Sequence, residues 1–156
     1  MSSRDLSLTS PAATRALGRR LGAALRPRDF VALTGDLGAG KTLLVKAMAE
    51  GARAEPASSP SFAIVNLYRG PVLLQHLDLY RLSGPSELFA LGFDDLLAEP
   101  AATLCEWAER AGDALPADRL EIALDYAGAR ARKVRLHATG PGGERLLIAA
   151  VVPAPV

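Results

Sequence analysis

The sequence predicts an α/β fold, a single domain over residues 1–150 with a mixed central sheet flanked by helices. Three observations predict it. Gly35-Asp36-Leu37-Gly38-Ala39-Gly40-Lys41-Thr42 fits G-x-x-x-x-G-K-[ST] at every fixed position. The run before it, Phe30 to Thr34, is short, apolar and partly β-branched, which reads as a buried strand. The run after it, Leu43 to Glu50, contains no glycine or proline and reads as a helix. Strand, glycine-rich loop and helix in that order are the context of a phosphate-binding loop, so the expected fold is that of the P-loop NTPases.

Physical chemistry explains the residue types. Glycines allow φ > 0 and remove Cβ atoms that would hold a phosphate away. Successive N–H groups then point inward as an anion nest. A helix starting near Lys41 adds free N–H donors and the positive end of its dipole. Lys41 has the reach for β- and γ-phosphates, and the Thr42 hydroxyl suits Mg²⁺.

Bulk properties narrow the class. A chain of 156 residues, 49% hydrophobic, is long enough for one real core. The formal net charge of +1 argues against this chain gripping nucleic acid alone. Cys105, the single cysteine, cannot form an internal disulfide and reads as a small core residue. No stretch approaches the ~18 apolar residues of a membrane span. Met1-Ser2-Ser3-Arg4-Asp5 carries no apolar signal core. A reduced cytoplasm is the expected home, with no membrane partner.

The elements follow in order. Ser10-Pro11 predicts an N-cap and a first-turn proline, opening a helix to about Leu25 with Leu17, Leu21 and Leu25 on one face. After the loop helix, residues 54–62 hold two prolines and three serines, an irregular connection. Two readings stay open for Ser61 there: a hydroxyl that senses the γ-phosphate, or an ordinary loop residue. Residues 63–68 and 72–77 read as strands around the turn Arg69-Gly70-Pro71, an antiparallel hairpin whose second strand runs into Asp78. Ser86 is the expected cap of a helix ended by Gly92, with another helical turn over 94–98 before Pro100. Ala101 to Cys105 is a buried strand leading into Glu106-Trp107. Strand C-termini line the crevice of such folds, so Asp78 and Glu106 are candidates for metal coordination and water orientation. A solvated strand exit is the other reading of Glu106. Trp107 is either core or an aromatic surface for a partner. Residues 120–124 and 131–138 read as strands, His137 as a solvated edge residue, 144–150 as a short helix, and 151–156 as a frayed tail.

Asp125-Tyr126-Ala127-Gly128 matches the Asp-x-x-Gly pattern of GTPases, but no Asn-Lys-x-Asp guanine reader occurs anywhere. The segment therefore reads as a hairpin turn, and adenine is the expected base.

Four motifs in this order resemble the TsaE (YjeE) family: Gly35 to Thr42, Ser59-Pro60-Ser61-Phe62, His76-Leu77-Asp78-Leu79-Tyr80-Arg81-Leu82, and Glu106-Trp107. The resemblance runs from about Ser10 to Gly143. It implies a small P-loop ATPase of bacterial tRNA threonylcarbamoyladenosine biosynthesis that binds ATP and Mg²⁺ and hydrolyses ATP slowly. It implies TsaB and TsaD as partners, with tRNA reached through that complex and modified at the adenosine beside the anticodon. By position, Lys41 holds phosphates, Thr42 and Glu106 ligate Mg²⁺, and Asp78 supports metal or water. Ser61 is the switch hydroxyl, Trp107 sits beside the site or the partner, residues near Pro11 touch the nucleotide, and Arg130 stabilises charge. The chain has Ser61 where the family commonly has Thr; the hydroxyl survives with a less rigid χ1. A small-molecule or nucleoside kinase is the alternative enzyme, although the arginines are scattered and form no evident lid. A nucleotide-dependent interaction module overlaps the first reading.

Overall fold

The strand that feeds the phosphate loop lies inside the sheet, with parallel neighbours on both sides. The structure is a computed structural model that describes residues 1–36, 38–56 and 65–151. The strands are β1 (Ser2–Leu8), β2 (Phe30–Gly35), β3 (Glu55–Pro56), β4 (Val65–Arg69), β5 (Leu74–Asp78), β6 (Ala102–Glu106), β7 (Arg119–Tyr126) and β8 (Arg132–Thr139). The helices are α1 (Pro11–Ala24), α2 (Lys41–Gly51), α3 (Pro85–Ala90), α4 (Phe93–Ala98) and α5 (Pro141–Val151), with a 3-10 segment at Ala108–Ala114. Among the described residues the sheet order is β1-β8-β7-β2-β6-β5-β4-β3. β7, β2, β6 and β5 run parallel, and the outer pairs are antiparallel.

Alternation along the strands divides the core in two. On one face Val31, Leu33, Leu104, Ile122 and Leu136 pack with Leu17 and Leu21 of α1, Leu44 and Met48 of α2, and Leu146 of α5. On the other Phe30, Ala32, Leu77 and Cys105 pack with Leu88 of α3 and Phe93 of α4. Phe30 and Phe93 meet edge to face at 6.4 Å. Each fully buried leucine contributes roughly 1.5–3 kcal/mol relative to exposure. Cys105 is buried and free, as expected, and burial pushes its thiol pKa up.

The first helix matches the expectation. Ser10 Oγ accepts from Ala13 N at 3.2 Å, Pro11 occupies the first turn, and Leu17, Leu21 and Leu25 are buried. The hairpin is antiparallel, pairing Val65 with Leu77 and Tyr68 with Leu74. It is shifted, however: its second strand begins at Leu74, not at residue 72.

Four local expectations need correction. β1 is a strand that sequence patterning missed, because Ser3, Asp5 and Ser7 alternate with Arg4, Leu6 and Leu8 and only Leu8 is buried. Its bonds are with β8, where Ser3 Oγ lies 2.7 Å from His137 Nδ1 and Arg135 Nε donates to Asp5 Oδ1 at 2.9 Å. His137 is therefore not on an edge strand: β1 covers β8. Helix α3 starts one residue before Ser86, with Gly84 at the cap and Pro85 in the first turn. Helix α5 begins at Pro141, three residues before the expected start. Its first N–H groups, Gly142 N and Gly143 N, donate to the Asp118 carboxylate at 3.0 and 2.9 Å, a cap supplied from far away in sequence.

One ion pair ties the end of the chain to the site strand. Arg145 of α5 reaches both oxygens of Asp29, just before β2, at 2.5 and 2.6 Å, and the Arg26 N–H bonds the same carboxylate at 2.8 Å. Among the described residues, no helix is long and apolar enough to cross a membrane.

Candidate functional site

The loop from Gly35 to Thr42 takes the geometry its glycines allow. Gly38 and Gly40 have φ of +83° and +109°. A Cβ at Gly38 would lie 2.8 Å from Tyr126 Oη, whereas one at Gly40 would enter open space. The Ala39 N–H closes the turn on Asp36 O at 3.0 Å, with the Ala39 side chain buried and the Asp36 side chain exposed. Helix α2 starts directly from Gly40 with no side-chain cap. Its first-turn N–H groups and dipole are thus presented at the loop, the arrangement that receives a phosphate. Leu37 lies outside the described residues.

Lys41 is folded back onto its own loop. Its Nζ donates to Gly35 O and lies 3.6 Å from the centroid of the Trp107 ring. The residue is only 4% exposed. Burial holds the Lys41 pKa below the ordinary lysine range, opposed by the carboxylates of Glu109, Glu106, Asp78 and Asp36. Burial likewise raises the Glu109 pKa, with Lys41 and Arg110 opposing.

The two strand-end carboxylates come together. Asp78 ends β5 and Glu106 ends β6, and the two are register partners. Glu106 is 3% exposed. The Thr42 hydroxyl donates to Glu106 Oε1 at 3.4 Å, while Glu106 Oε2 lies 2.5 Å from His76 Nε2. The surface-exit reading of Glu106 is thereby removed. Asp78 is exposed, its Oδ1 accepting the Tyr80 N–H at 3.0 Å.

Trp107 adopts a left-handed backbone with φ +57°, unusual for a bulky residue. This turn takes the chain from β6 into the 3-10 segment. The indole is also met by Tyr80, with ring centroids 4.9 Å apart, and by the Arg110 guanidinium, 5.7 Å from the ring centroid. Trp107 is half-buried, packed against the second core cluster while its ring meets Lys41 of the loop. The halves of the sequence pattern meet here: His76 with Glu106, Asp78 with Glu106, and Tyr80 with Trp107.

The chemistry of the donor set fits Mg²⁺. Mg²⁺ takes oxygen ligands at about 2.0–2.1 Å, so adjacent oxygens in its octahedron stand about 2.9 Å apart. The 3.4 Å separation of Thr42 Oγ1 and Glu106 Oε1 closes to that value with a small shift. Among the described residues no group of three or more His, Cys, Asp or Glu could hold a metal alone. Mg²⁺ needs no such cage, since waters and phosphates complete its shell. The carboxylates around Lys41 also make the site unwelcoming to a polyphosphate without a cation.

Three further residues are expected at the site: Pro11, Ser61 and Arg130. Pro11 stands at the start of α1. Ser61 lies outside the described residues. Arg130 is exposed in the turn between β7 and β8, and the arginine that reaches the loop is Arg132. Its Nε donates to Ala39 O at 2.9 Å and its guanidinium lies 4.6 Å from the Tyr126 ring centroid. Sequence reading missed Arg132 and Tyr126. Tyr126 falls in the segment that reads as a hairpin turn, which hides its pairing; β7 in fact runs through it, and Tyr126 and Arg132 are register partners.

A mixed sheet with a parallel centre, a glycine-rich loop between β2 and α2, and strand-end carboxylates beside that loop define the P-loop NTPase fold. The family model described as "Threonylcarbamoyl adenosine biosynthesis protein TsaE" matches residues 8–134. A tRNA threonylcarbamoyladenosine biosynthesis protein TsaE from Bacillus subtilis (strain 168) is 37% identical over 88% of this chain and 87% of its own length. The protein of the same name from Streptomyces coelicolor is 42% identical over 84% of this chain and 92% of its own. The crystal structure of Bacillus subtilis YdiB superposes with a TM-score of 0.80 and 31% identity, covering 96% of this chain and 94% of that one. The chain belongs to the TsaE family.

Proposed function

We propose that this chain is the Mg²⁺-dependent ATPase component of tRNA threonylcarbamoyladenosine biosynthesis, working in the cytoplasm with TsaB and TsaD and meeting tRNA through that complex. The observation that carries the reading is the pair Thr42 Oγ1 and Glu106 Oε1, 3.4 Å apart beside Lys41 at the uncapped start of α2. Names of the relatives supply the pathway; the donor set supports nucleotide and metal.

In this reading the backbone of Gly35, Asp36, Leu37, Gly38, Ala39 and Gly40 cradles the phosphates, and Lys41 leaves Gly35 O and Trp107 to pair with them. Thr42 and Glu106 would hold Mg²⁺, which when bound offsets charge on the β- and γ-phosphates. Asp78, at the neighbouring strand end, orients water. Ser61 senses the γ-phosphate, Arg130 faces developing charge, and residues around Pro11 approach the nucleotide. Residues 1–150 form the ATPase unit and the remainder a tail. The near-neutral charge supports a division in which the partners hold most of the tRNA.

Reconstitution tests this. With TsaB, TsaD, threonylcarbamoyl-adenylate and tRNA, adding the chain should be required for multiple-turnover modification. Turnover that is the same without it would sink the pathway assignment. Undiminished ATP hydrolysis in both Lys41→Ala and Glu106→Ala would sink the site.

A further inference from the structure

His76 belongs to the conspicuous run His76-Leu77-Asp78-Leu79-Tyr80-Arg81-Leu82, yet no role above uses it. It lies two residues before Asp78 on β5, so both side chains leave the strand on the same face. The register pairs His76 with Leu104 and Asp78 with Glu106, which makes His76 the diagonal neighbour of Glu106. His76 is 8% exposed. A carboxylate oxygen accepts, so the 2.5 Å contact assigns the ring proton to Nε2. Nδ1 is buried and, among the described residues, has no hydrogen-bond partner. The ring therefore spends its polar capacity on Glu106. Leu104 and Cys105, just before Glu106, are fully buried, and an apolar pair at these positions would suit a fold that needed only packing.

Glu106 thus has its two oxygens divided, Oε2 to His76 and Oε1 to Thr42. The geometry points to His76 as the positioning residue of the metal carboxylate: by holding Oε2 it fixes the Glu106 side chain and offers the cation a single oxygen, Oε1. This rests on the Mg²⁺-nucleotide reading above and adds a specificity device to it. A carboxylate free to turn can give both oxygens to one ion, which suits the larger, flexible shell of Ca²⁺; single-oxygen ligation suits the tight octahedron of Mg²⁺. Partners that orient a ligand are worth about 10–100-fold in metal affinity.

The test uses the full chain and measures ADP binding as Mg²⁺ or Ca²⁺ is titrated. His76→Leu should raise the half-saturating Mg²⁺ concentration about 10–100-fold. It should raise the Ca²⁺ value less, narrowing the preference between the ions. His76→Gln, whose amide nitrogen reaches the place of Nε2, should restore most of both. If His76→Leu does not fold, His76→Asn replaces it, since its shorter amide cannot reach Glu106 and should behave as the leucine does. An unchanged Mg²⁺ requirement and ion preference in a folded leucine or asparagine variant would overturn the assignment, as would failure of the glutamine to rescue. Absence of ADP binding by the unmodified chain would overturn the functional reading instead, and the metal role with it. A double-mutant cycle of His76→Leu and Glu106→Gln on the nucleotide-free melting temperature tests the contact without any ligand; additive shifts would refute it.

Discussion

The Lys41 ammonium lies 3.6 Å from the centre of the Trp107 indole and is bonded at the same time to Gly35 O. The lysine that should hold phosphates is therefore stored between a carbonyl of its own loop and the aromatic face of Trp107, just after β6. Trp107 is the only tryptophan in the chain, so its emission reports that contact without labelling. Adding ADP or ATP should change Trp107 fluorescence as the cation leaves the ring. In Lys41→Met the change should vanish and affinity should fall at least about 100-fold, the cost of losing two charge-assisted hydrogen bonds. A titration followed by fluorescence and by calorimetry checks both.

Storage of Lys41 has a stability cost with a definite pH sign. Burial lowers its pKa below the 10.5 of an ordinary lysine, so the unfolded chain binds that proton more firmly than the fold does. Stability then rises with pH through the window between the lowered value and 10.5, and the full cost is present below that window. Lys41→Met should melt higher than the parent at pH 7 in the absence of nucleotide. The advantage should shrink as pH approaches 10.5, read from melting curves at matched ionic strength.

Glu106→Gln keeps shape and removes the charge beside Thr42. Turnover at saturating Mg²⁺ should fall by about 10²–10³-fold, in the range for loss of one electrostatic stabiliser. Nucleotide affinity in EDTA should hold to within a few-fold. Steady-state kinetics paired with metal-free binding separates the two effects.

Arg130 and Arg132 should behave differently. Arg132→Ala loses the bond to Ala39 O and the stacking on Tyr126, worth about 1–2 kcal/mol together. That corresponds to a fall of roughly 2–8 °C in melting temperature. Arg130→Ala, at an exposed turn position, should leave the melting temperature within about 1–2 °C and act only on turnover if it faces developing charge. Melting and turnover of the two variants side by side decide this.

Much of this site is legible in sequence because its parts are local. The loop motif carries its own strand and helix, and the two-residue spacing of His76 and Asp78 places both on one face. The Asp78–Glu106 meeting could be expected as a strand-end pair but not measured, since it depends on β5 lying beside β6. What escaped was tertiary. β1 has a single buried residue, Leu8, and exists by pairing with β8. Helix α5 takes its cap from Asp118. Arg132 reaches the loop across 93 residues of sequence.

The placement of β2 also bears on how the molecule comes into being. β2 ends at Gly35, yet its two strand neighbours pair with it only from Thr103 and Leu120 onward. β1 pairs, among the described residues, with Arg132 to Ala138 alone. During synthesis the phosphate loop is therefore made before both strand neighbours of β2 and has no sheet to stand on until Thr103 and Leu120 have followed. Contacts of such long range fold slowly and leave apolar strands waiting. Until then the nascent Phe30-Val31-Ala32-Leu33 segment is an apolar strand without its sheet partners, the kind of surface that invites aggregation.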